Sequence, residues 1–387
     1  MKLKDVLISF LINGLRIEMN KKLAIVQVLP NLISGGVETG VLEVAKYITQ
    51  RGHKSIVISG GGRMVDQLES DGSNHIKWAI GRKSPTTFFY IIKLVRFINN
   101  NNIDIIHARS RIPAWIVFLA LKFIKKNRRP HFITTVHGFN SISFYSSIMT
   151  KGERVIVVSK SIKRFIIKNY KINASKIVLN YRGIDSKVFN SNKLLSKEWI
   201  YSWKKEFPGL KNKIILCFPS RITRRKGHED FINLIFRLKQ DNLNIHGLII
   251  GDPKSPSDKY LNALKKQINH YGLNKNVTFT GYRSDVKNIM ALSDIVFSLS
   301  REPESFGRTI IESIKLKTPV IGYDHGGVGE QLSMIFPQGL VELNNKENLY
   351  KNTIKILRKK PEIKNTNLFE LENMLKTTLK IYEEVSF

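Results

Sequence analysis

Two rounds of one alternation run through this chain of 387 residues: a short apolar run, a turn, a helical stretch, then another apolar run. Residues 23–29, Leu-Ala-Ile-Val-Gln-Val-Leu, set the type. A nearly unbroken apolar run is what a strand covered on both faces of a parallel sheet requires. Further strands are expected at 55–59, 103–107, 132–136, 154–158 and 177–179, with helices at 37–51, 86–99, 111–124 and 161–170 between them. The alternation then stops over 185–212, which is polar and Lys-rich with weak periodicity. It restarts with strands at 214–218, 245–250, 277–280 and 294–300, and 319–322 closes the series. Helices are expected at 228–240, 258–271, 285–292 and 309–316, then at 368–385, the Asn- and Lys-rich segment before that tail reading as loop. Strand–helix alternation of this kind is the pattern of doubly wound α/β domains, and here it occurs twice. No internal repeat interrupts it. Ligands of open α/β sheets bind beyond the carboxyl ends of the strands, so the motifs are to be tested against one cleft between two such domains.

The length allows two domains with full cores. The apolar fraction of 42% is that of an ordinary soluble globular protein. One cysteine, Cys217, excludes an internal disulfide framework and a Cys-based structural zinc site, and fits a reducing compartment. Charge is the unusual property: 63 Lys+Arg against 31 Asp+Glu, a formal +32. Such an excess favours an anionic partner, either nucleic acid or an anionic membrane surface. The richness in Lys, Ile and Asn also reads as a coding bias toward AT. No run approaches the ~20 apolar residues of a membrane span. Residues 1–13 begin with basic residues, but their apolar run is short for a signal peptide and no small-residue cleavage site follows. They read either as a short interfacial helix or as an extension before a start at Met19.

Residues 304–312, Glu-Ser-Phe-Gly-Arg-Thr-Ile-Ile-Glu, place two carboxylates eight positions apart across a loop-to-helix junction. Gly307 allows close backbone approach to a ligand, and the helix start offers N–H groups to an anion. Glu304 in the loop and Glu312 about a turn into the helix suit the hydroxyls of a sugar and a ribose. Arg221 and Lys226 follow the first strand of the second round and precede its helix, where they could jointly neutralise a diphosphate. Gly35 and Gly36 lie between the first strand and first helix, but not in the G-x-G-x-x-G pattern, which disfavours a nicotinamide cofactor. His137 ends a strand, placed to meet a sugar hydroxyl or move a proton; His107 is a second candidate, with Arg109 and Arg111 close behind. There is no Asp-x-Asp pair and no cluster with metal-ligand spacing. Protein cations, without a metal or other cofactor, are therefore expected to carry the charge of any nucleotide diphosphate.

Together these segments resemble the retaining GT-B glycosyltransferases of family 4, the glycosyl transferases group 1, including those that build the lipopolysaccharide core. The resemblance runs from about Ala24 to Leu332. It is carried by Arg221-x4-Lys226-Gly227, by Phe279-Thr-Gly281-Tyr282-Arg283, by Glu304-x7-Glu312, and by residues 319–327 ending in Gly326-Gly327. It implies two Rossmann-like domains facing each other across a cleft. An extension at 1–20 would precede an acceptor domain at 21–188, then a linker at 189–212 and a donor-nucleotide domain at 213–365. A C-terminal helix at 366–387 would cross back to the first domain.

For the site, the resemblance implies that Glu312 bonds the donor ribose and that Glu304 contacts the transferred sugar, with Ser305, Phe306 and Gly307 alongside. Arg221 and Lys226 would hold the diphosphate with Gly35 and Gly36 in support. Tyr282 and Arg283 would lie at the base, and His137 at the donor sugar. Transfer would retain configuration by front-face attack, the leaving phosphate helping to take the acceptor proton. Two departures stand out: Ser220 where the family often has glycine before its arginine, and Gly329 where proline is frequent.

No motif encodes the acceptor. Lys93, Arg96, Lys122, Lys125 and Lys126 flank apolar helical runs in the first domain and could meet anionic headgroups. The expectation is a peripheral enzyme of the cytoplasmic face of the inner membrane. It would pass a hexose from a nucleotide sugar to a glycan or glycolipid of the cell envelope. Two rival readings are a basic nucleic-acid-binding protein, for which the charge is the sole support, and a non-catalytic sugar-nucleotide-binding protein of the same fold. The aromatic residues are not interleaved with the basic runs as a base-stacking surface requires, so nucleic acid is not the expected partner.

Overall fold

The computed structural model describes residues 22–387 apart from 34, 191–193, 254, 256–257 and 365, so the expected extension at 1–20 lies outside the described residues. The chain divides into two compact units. The first holds the chain up to Val158, Lys163–Asn180 and Met374–Phe387; the second holds Ser159–Ile162 and Tyr181–Asn373.

In the first unit, seven parallel strands form one sheet. They are β1 (Ala24–Val28), β2 (Lys54–Ser59), β3 (Asn74–Lys77), β4 (Ile105–Ala108), β5 (His131–Val136), β6 (Arg154–Val157) and β7 (Ile177–Leu179), in the order β3-β2-β1-β4-β5-β6-β7. Every residue of β1 is buried, as its apolar run requires. The helix Gly36–Gln50 lays Val41, Val44, Ala45 and Ile48 against the sheet, a stripe at helical spacing. Chain order reverses between β1 and β4, which places the switch point of the sheet there.

Six parallel strands build the second unit: β8 (Ile214–Pro219), β9 (Ile245–Ile250), β10 (Val277–Gly281), β11 (Ile295–Ser298), β12 (Val320–Tyr323) and β13 (Leu340–Val341). Their order is β10-β9-β8-β11-β12-β13, so the switch point falls between β8 and β11. Phe231, on the helix His228–Gln240, packs between Phe218 and Phe297, with ring centroids 5.1 and 5.3 Å away. A fully buried aromatic of this kind contributes about 1.5–3 kcal/mol by removal from water alone.

The stretch expected as a linker is instead part of the second unit. It contains the helix Lys197–Glu206, capped by Ser196 Oγ, which accepts from Trp199 N at 3.2 Å. Trp203 is 5% exposed and packs on Trp199 and Phe207, so two tryptophans anchor a helix whose remaining residues, Ile200 and Tyr201 apart, are polar. The segment expected as loop before the tail holds the helix Lys346–Arg358, which buries Leu349, Thr353 and Ile356 behind an Asn345 cap. The series also does not close at 322: the helix Gly326–Ile335 and the two-residue β13 follow. β3 went unread because it is an edge strand with no residue fully buried. The last helix is Leu371–Ser386. No helix among the described residues is long and apolar enough to cross a membrane.

Candidate functional site

The loops after β8 and β11 flank the switch point of the second sheet, and they carry most of the charged candidates. Leaving β8, the chain passes Arg221, which is exposed and makes no ion pair among the described residues. It then forms a single 3-10 turn, Arg224–Lys226, ended by Gly227 at φ 81°. A Cβ on Gly227 would stand 2.1 Å from the Leu299 carbonyl oxygen, so glycine is demanded by both conformation and space. Arg301 N and Ser300 Oγ both donate to the Arg225 carbonyl, at 2.8 and 3.2 Å, which stitches the two loops together. Lys226 Nζ consequently reaches Glu304 Oε1 at 2.5 Å, with about a fifth of each side chain exposed.

Beneath this pair lies a network absent from the sequence reading. Asp230 is 2% exposed and accepts from Arg301 Nε and Nη2, at 3.0 and 2.8 Å, and from the Tyr323 hydroxyl at 3.0 Å. Hydrogen bonding to Asp230 raises the guanidinium's affinity for its proton, and burial beside that carboxylate keeps Tyr323 a neutral phenol. Arg301 stands three residues before Glu304, so its ion pair with the buried Asp230 carboxylate fixes the stem of the loop. The only sequence signal was an Arg after a strand, too common in so basic a chain to single out.

Glu304 to Gly307 is held from the other side by the helix Gly326–Ile335. Glu304 forms a parallel bridge with Gly326, and its carbonyl accepts from Gly327 N at 2.6 Å. A Cβ on Gly327 would lie 2.6 Å from Phe306 Cα and 2.7 Å from the Ser305 carbonyl oxygen, which explains the paired glycines. The buried Gln331 amide donates to the Phe306 carbonyl. Phe306 is itself buried, against Tyr181 and Phe369. Gly307, at φ 84°, caps the helix Arg308–Lys315 without any side-chain acceptor for its first N–H groups. Glu312 lies on that helix and accepts from Arg308 Nε at 3.2 Å. Glu330 is likewise employed: it accepts from the backbone N–H of Lys160 and Ser161 at 2.8 and 2.9 Å, and from the Tyr181 hydroxyl at 2.7 Å.

Tyr282 and Arg283 follow β10. Tyr282 has its N–H on Asp252 Oδ1 at 2.9 Å and its ring 64% exposed. Arg283 is engaged on two sides, with Asp285 at 2.8 and 2.9 Å and with Glu206 at 2.5 and 3.1 Å, and Trp203 and Phe207 lie near its guanidinium. These carboxylates, Asp285 foremost, hold its proton more firmly than usual. Its side chain thus ties the helix Lys197–Glu206 to the loop after β10, a role that sequence spacing did not suggest.

The remaining candidates belong to the first unit. Gly35, at φ 131°, and Gly36, which opens the first helix, follow β1 at that sheet's switch point and are exposed. His137 follows β5 and is partly exposed. His107 is a core residue: fully buried, its Nδ1 lies 2.7 Å from the Tyr382 hydroxyl and its Nε2 2.6 Å from Thr135 Oγ1. Arg109, 5% exposed, donates from Nε to Gln27 Oε1 at 3.1 Å, and burial lowers its hold on the proton.

Two doubly wound parallel sheets, with charged loops at the switch point of one and a glycine loop at that of the other, define the GT-B class of glycosyltransferase fold. Family models agree in both halves: Glycosyltransferase Family 4 matches residues 34–188, and Glycosyl transferases group 1 matches residues 201–369. A glycosyltransferase from Rickettsia africae is 35% identical, with a TM-score of 0.82 over 94% of this chain and 99% of that one. The chain belongs to the family 4, or group 1, glycosyltransferases. Anabaena HepE, solved in complex with UDP and glucose, shares the fold at 18% identity and a TM-score of 0.78, covering 93% of this chain and 99% of its own. The lipopolysaccharide outer core galactosyltransferase WaaB shares it at 13% identity and a TM-score of 0.67, covering 93% of this chain and 100% of its own.

Proposed function

We propose that this glycosyltransferase moves a hexose, with retention, from a nucleotide-diphosphate sugar to a glycan or glycolipid acceptor of the cell envelope, lipopolysaccharide being the first candidate. The observation that carries the reading is the pairing of Lys226 with Glu304 across the switch point of the second sheet, with Arg221 on one loop and Glu312 on the helix that follows the other. Arg221 and Lys226 neutralise the leaving diphosphate. The N–H groups above Gly307 add a positive helix end, since no side chain caps them. Glu304 holds Lys226 in place and meets the sugar hydroxyls, while Glu312 takes the ribose. Tyr282 offers its exposed ring to the base; Arg283 contributes through its backbone while its side chain braces the loop.

The chemistry then needs no covalent carboxylate. Positioned cations stabilise charge developing on the leaving phosphate, and that phosphate takes the proton of the attacking hydroxyl on the same face. Because Arg and Lys supply the countercharge, transfer is independent of a divalent metal. The net charge of +32 supports work at the cytoplasmic face of an anionic membrane. HepE's UDP and glucose make UDP-glucose the first donor to try. A thermal-shift panel of UDP-, GDP- and ADP-sugars tests the reading: one base should raise the melting temperature in a concentration-dependent way, and transfer from that donor should survive EDTA. No shift with any of them, or full loss of transfer in EDTA, would count against it.

A further inference from the structure

The first unit carries a groove that none of the proposed donor-binding residues lines. It lies between residues 82–88, after β3, and the helix Arg111–Lys122, and it has a volume of about 610 Å³. Its walls are almost wholly apolar, built by Phe88, Ile112, Trp115, Leu119 and Phe144. The Trp115 indole N–H donates to the Tyr145 carbonyl at 2.9 Å, so the one polar atom of that ring is satisfied and the ring serves as wall. Phe144 is 81% exposed and Phe88 59%, with Phe89 and Phe123 also exposed nearby in sequence. Exposed large apolar residues gathered at a groove mark a binding surface, because water contact with such area is unfavourable. The volume falls within the roughly 300–1,000 Å³ of ordinary ligand sites.

Charge selects the occupant. Arg82 and Lys83 also line the groove, and neither makes an ion pair among the described residues. Arg82 also lines an adjoining hollow of about 360 Å³ with Phe89 and Tyr90. Between Trp78 and Thr150, Asp104 is the only acidic residue, against eleven lysines and arginines. A neutral apolar ligand would leave these cations without purpose, and a free phosphate would leave the apolar walls so.

We propose that the groove holds the hydrocarbon chain of a lipid phosphate or diphosphate, with the phosphate against Arg82 and Lys83. Joined to the proposed function, it gives the acceptor's anchor a chemical class, and in that respect it rests on that reading; the binding itself does not. Calorimetric titration with dodecyl phosphate below its micelle concentration tests it, with dodecyl maltoside and inorganic phosphate as comparisons. One saturable site is expected, at least tenfold weaker for dodecyl maltoside and for inorganic phosphate. Binding should fall at least tenfold in the double variant Arg82→Ala, Lys83→Ala, and be lost in Leu119→Trp, which fills the groove. Phe144→Ser, on an exposed side chain, should weaken it severalfold without disturbing the fold. Binding that is indifferent to headgroup, or unchanged in Leu119→Trp and Phe144→Ser, would overturn the proposal. So would self-association through the groove that dodecyl phosphate does not dissolve, which would assign it to a second copy. Nucleotide-sugar titration of the same variants separates the two readings: it should be unchanged throughout, and its failure in the wild type would remove the donor site while leaving this groove standing.

Discussion

At the scale of single residues, the second unit separates groups that hold the loops from groups that face outward. Asp230 and Tyr323 are almost wholly buried and hold Arg301, whose side chain is itself about a third exposed, whereas Lys226, Glu304 and Glu312 each keep about a fifth of the side chain exposed without such a buried partner. Glu312→Ala should weaken binding of the matching nucleotide sugar about tenfold to a hundredfold, the worth of hydrogen bonds to a charged group, as read by titration calorimetry. Lys226→Ala should act chiefly on turnover; wild-type behaviour in both variants would place the site elsewhere. A different residue sets a pH dependence. His228 is fully buried against Phe218 and Tyr260, and burial lowers its pKa to about 4. The unfolded chain therefore binds the extra proton between pH 6.5 and about 4, and the folded one does not. Stability from this histidine is complete above pH 6.5 and is lost as pH falls toward 4, by about 3 kcal/mol at most. Urea unfolding across that window should show the slope in the wild type and a flatter one in His228→Gln.

At the scale of elements, the site is a junction of loops whose geometry glycine permits. Gly227 and Gly307 have left-handed backbones, and each lies against another element: Leu299 for the first and Val328 for the second. Gly227→Ala meets a carbonyl oxygen at 2.1 Å with no flexible atom to give way, so the loop after β11 must move. The expected result is a loss of about 1–3 kcal/mol in thermal unfolding, together with weaker donor binding, because the same displacement separates Lys226 from Glu304. A stable variant with unaltered donor affinity would show that the stitching of the two loops is irrelevant to the site. The helix Lys197–Glu206 also gains a purpose here. Glu206 and Trp203 surround Arg283, so the stretch that looked like a linker braces the loop after β10.

At the scale of the whole molecule, the charge of +32 remains the property that small contacts do not use up. A peripheral enzyme held by such charge should float with vesicles containing anionic lipid at low salt and be released as ionic strength rises, since screening shortens the reach of the field to about 8 Å at physiological salt. Equal recovery with neutral and anionic vesicles would exclude electrostatic docking. The exposed aromatic residues of the first unit give such contact an apolar component, which salt would not remove.

The sequence by itself determined the two α/β rounds, most strand and helix centres, and the positions of Arg221, Lys226, Glu304 and Glu312, because periodicity and glycine-flanked loops are local properties. Boundaries such as His228–Gln240 and Ile245–Ile250 were legible to the residue, since buried runs end where polar turns begin. Tertiary structure decided the rest. His107 had the look of a site residue and is held in the core by Tyr382, 275 positions away. Arg283 had the look of a ligand group and is taken by Glu206, 77 positions away. The helices Lys197–Glu206 and Lys346–Arg358 depend on a few buried positions in polar surroundings, a signal too sparse to see without the surface that receives them. Which charged groups brace and which stand open is settled by partners distant in sequence, and periodicity holds no record of them.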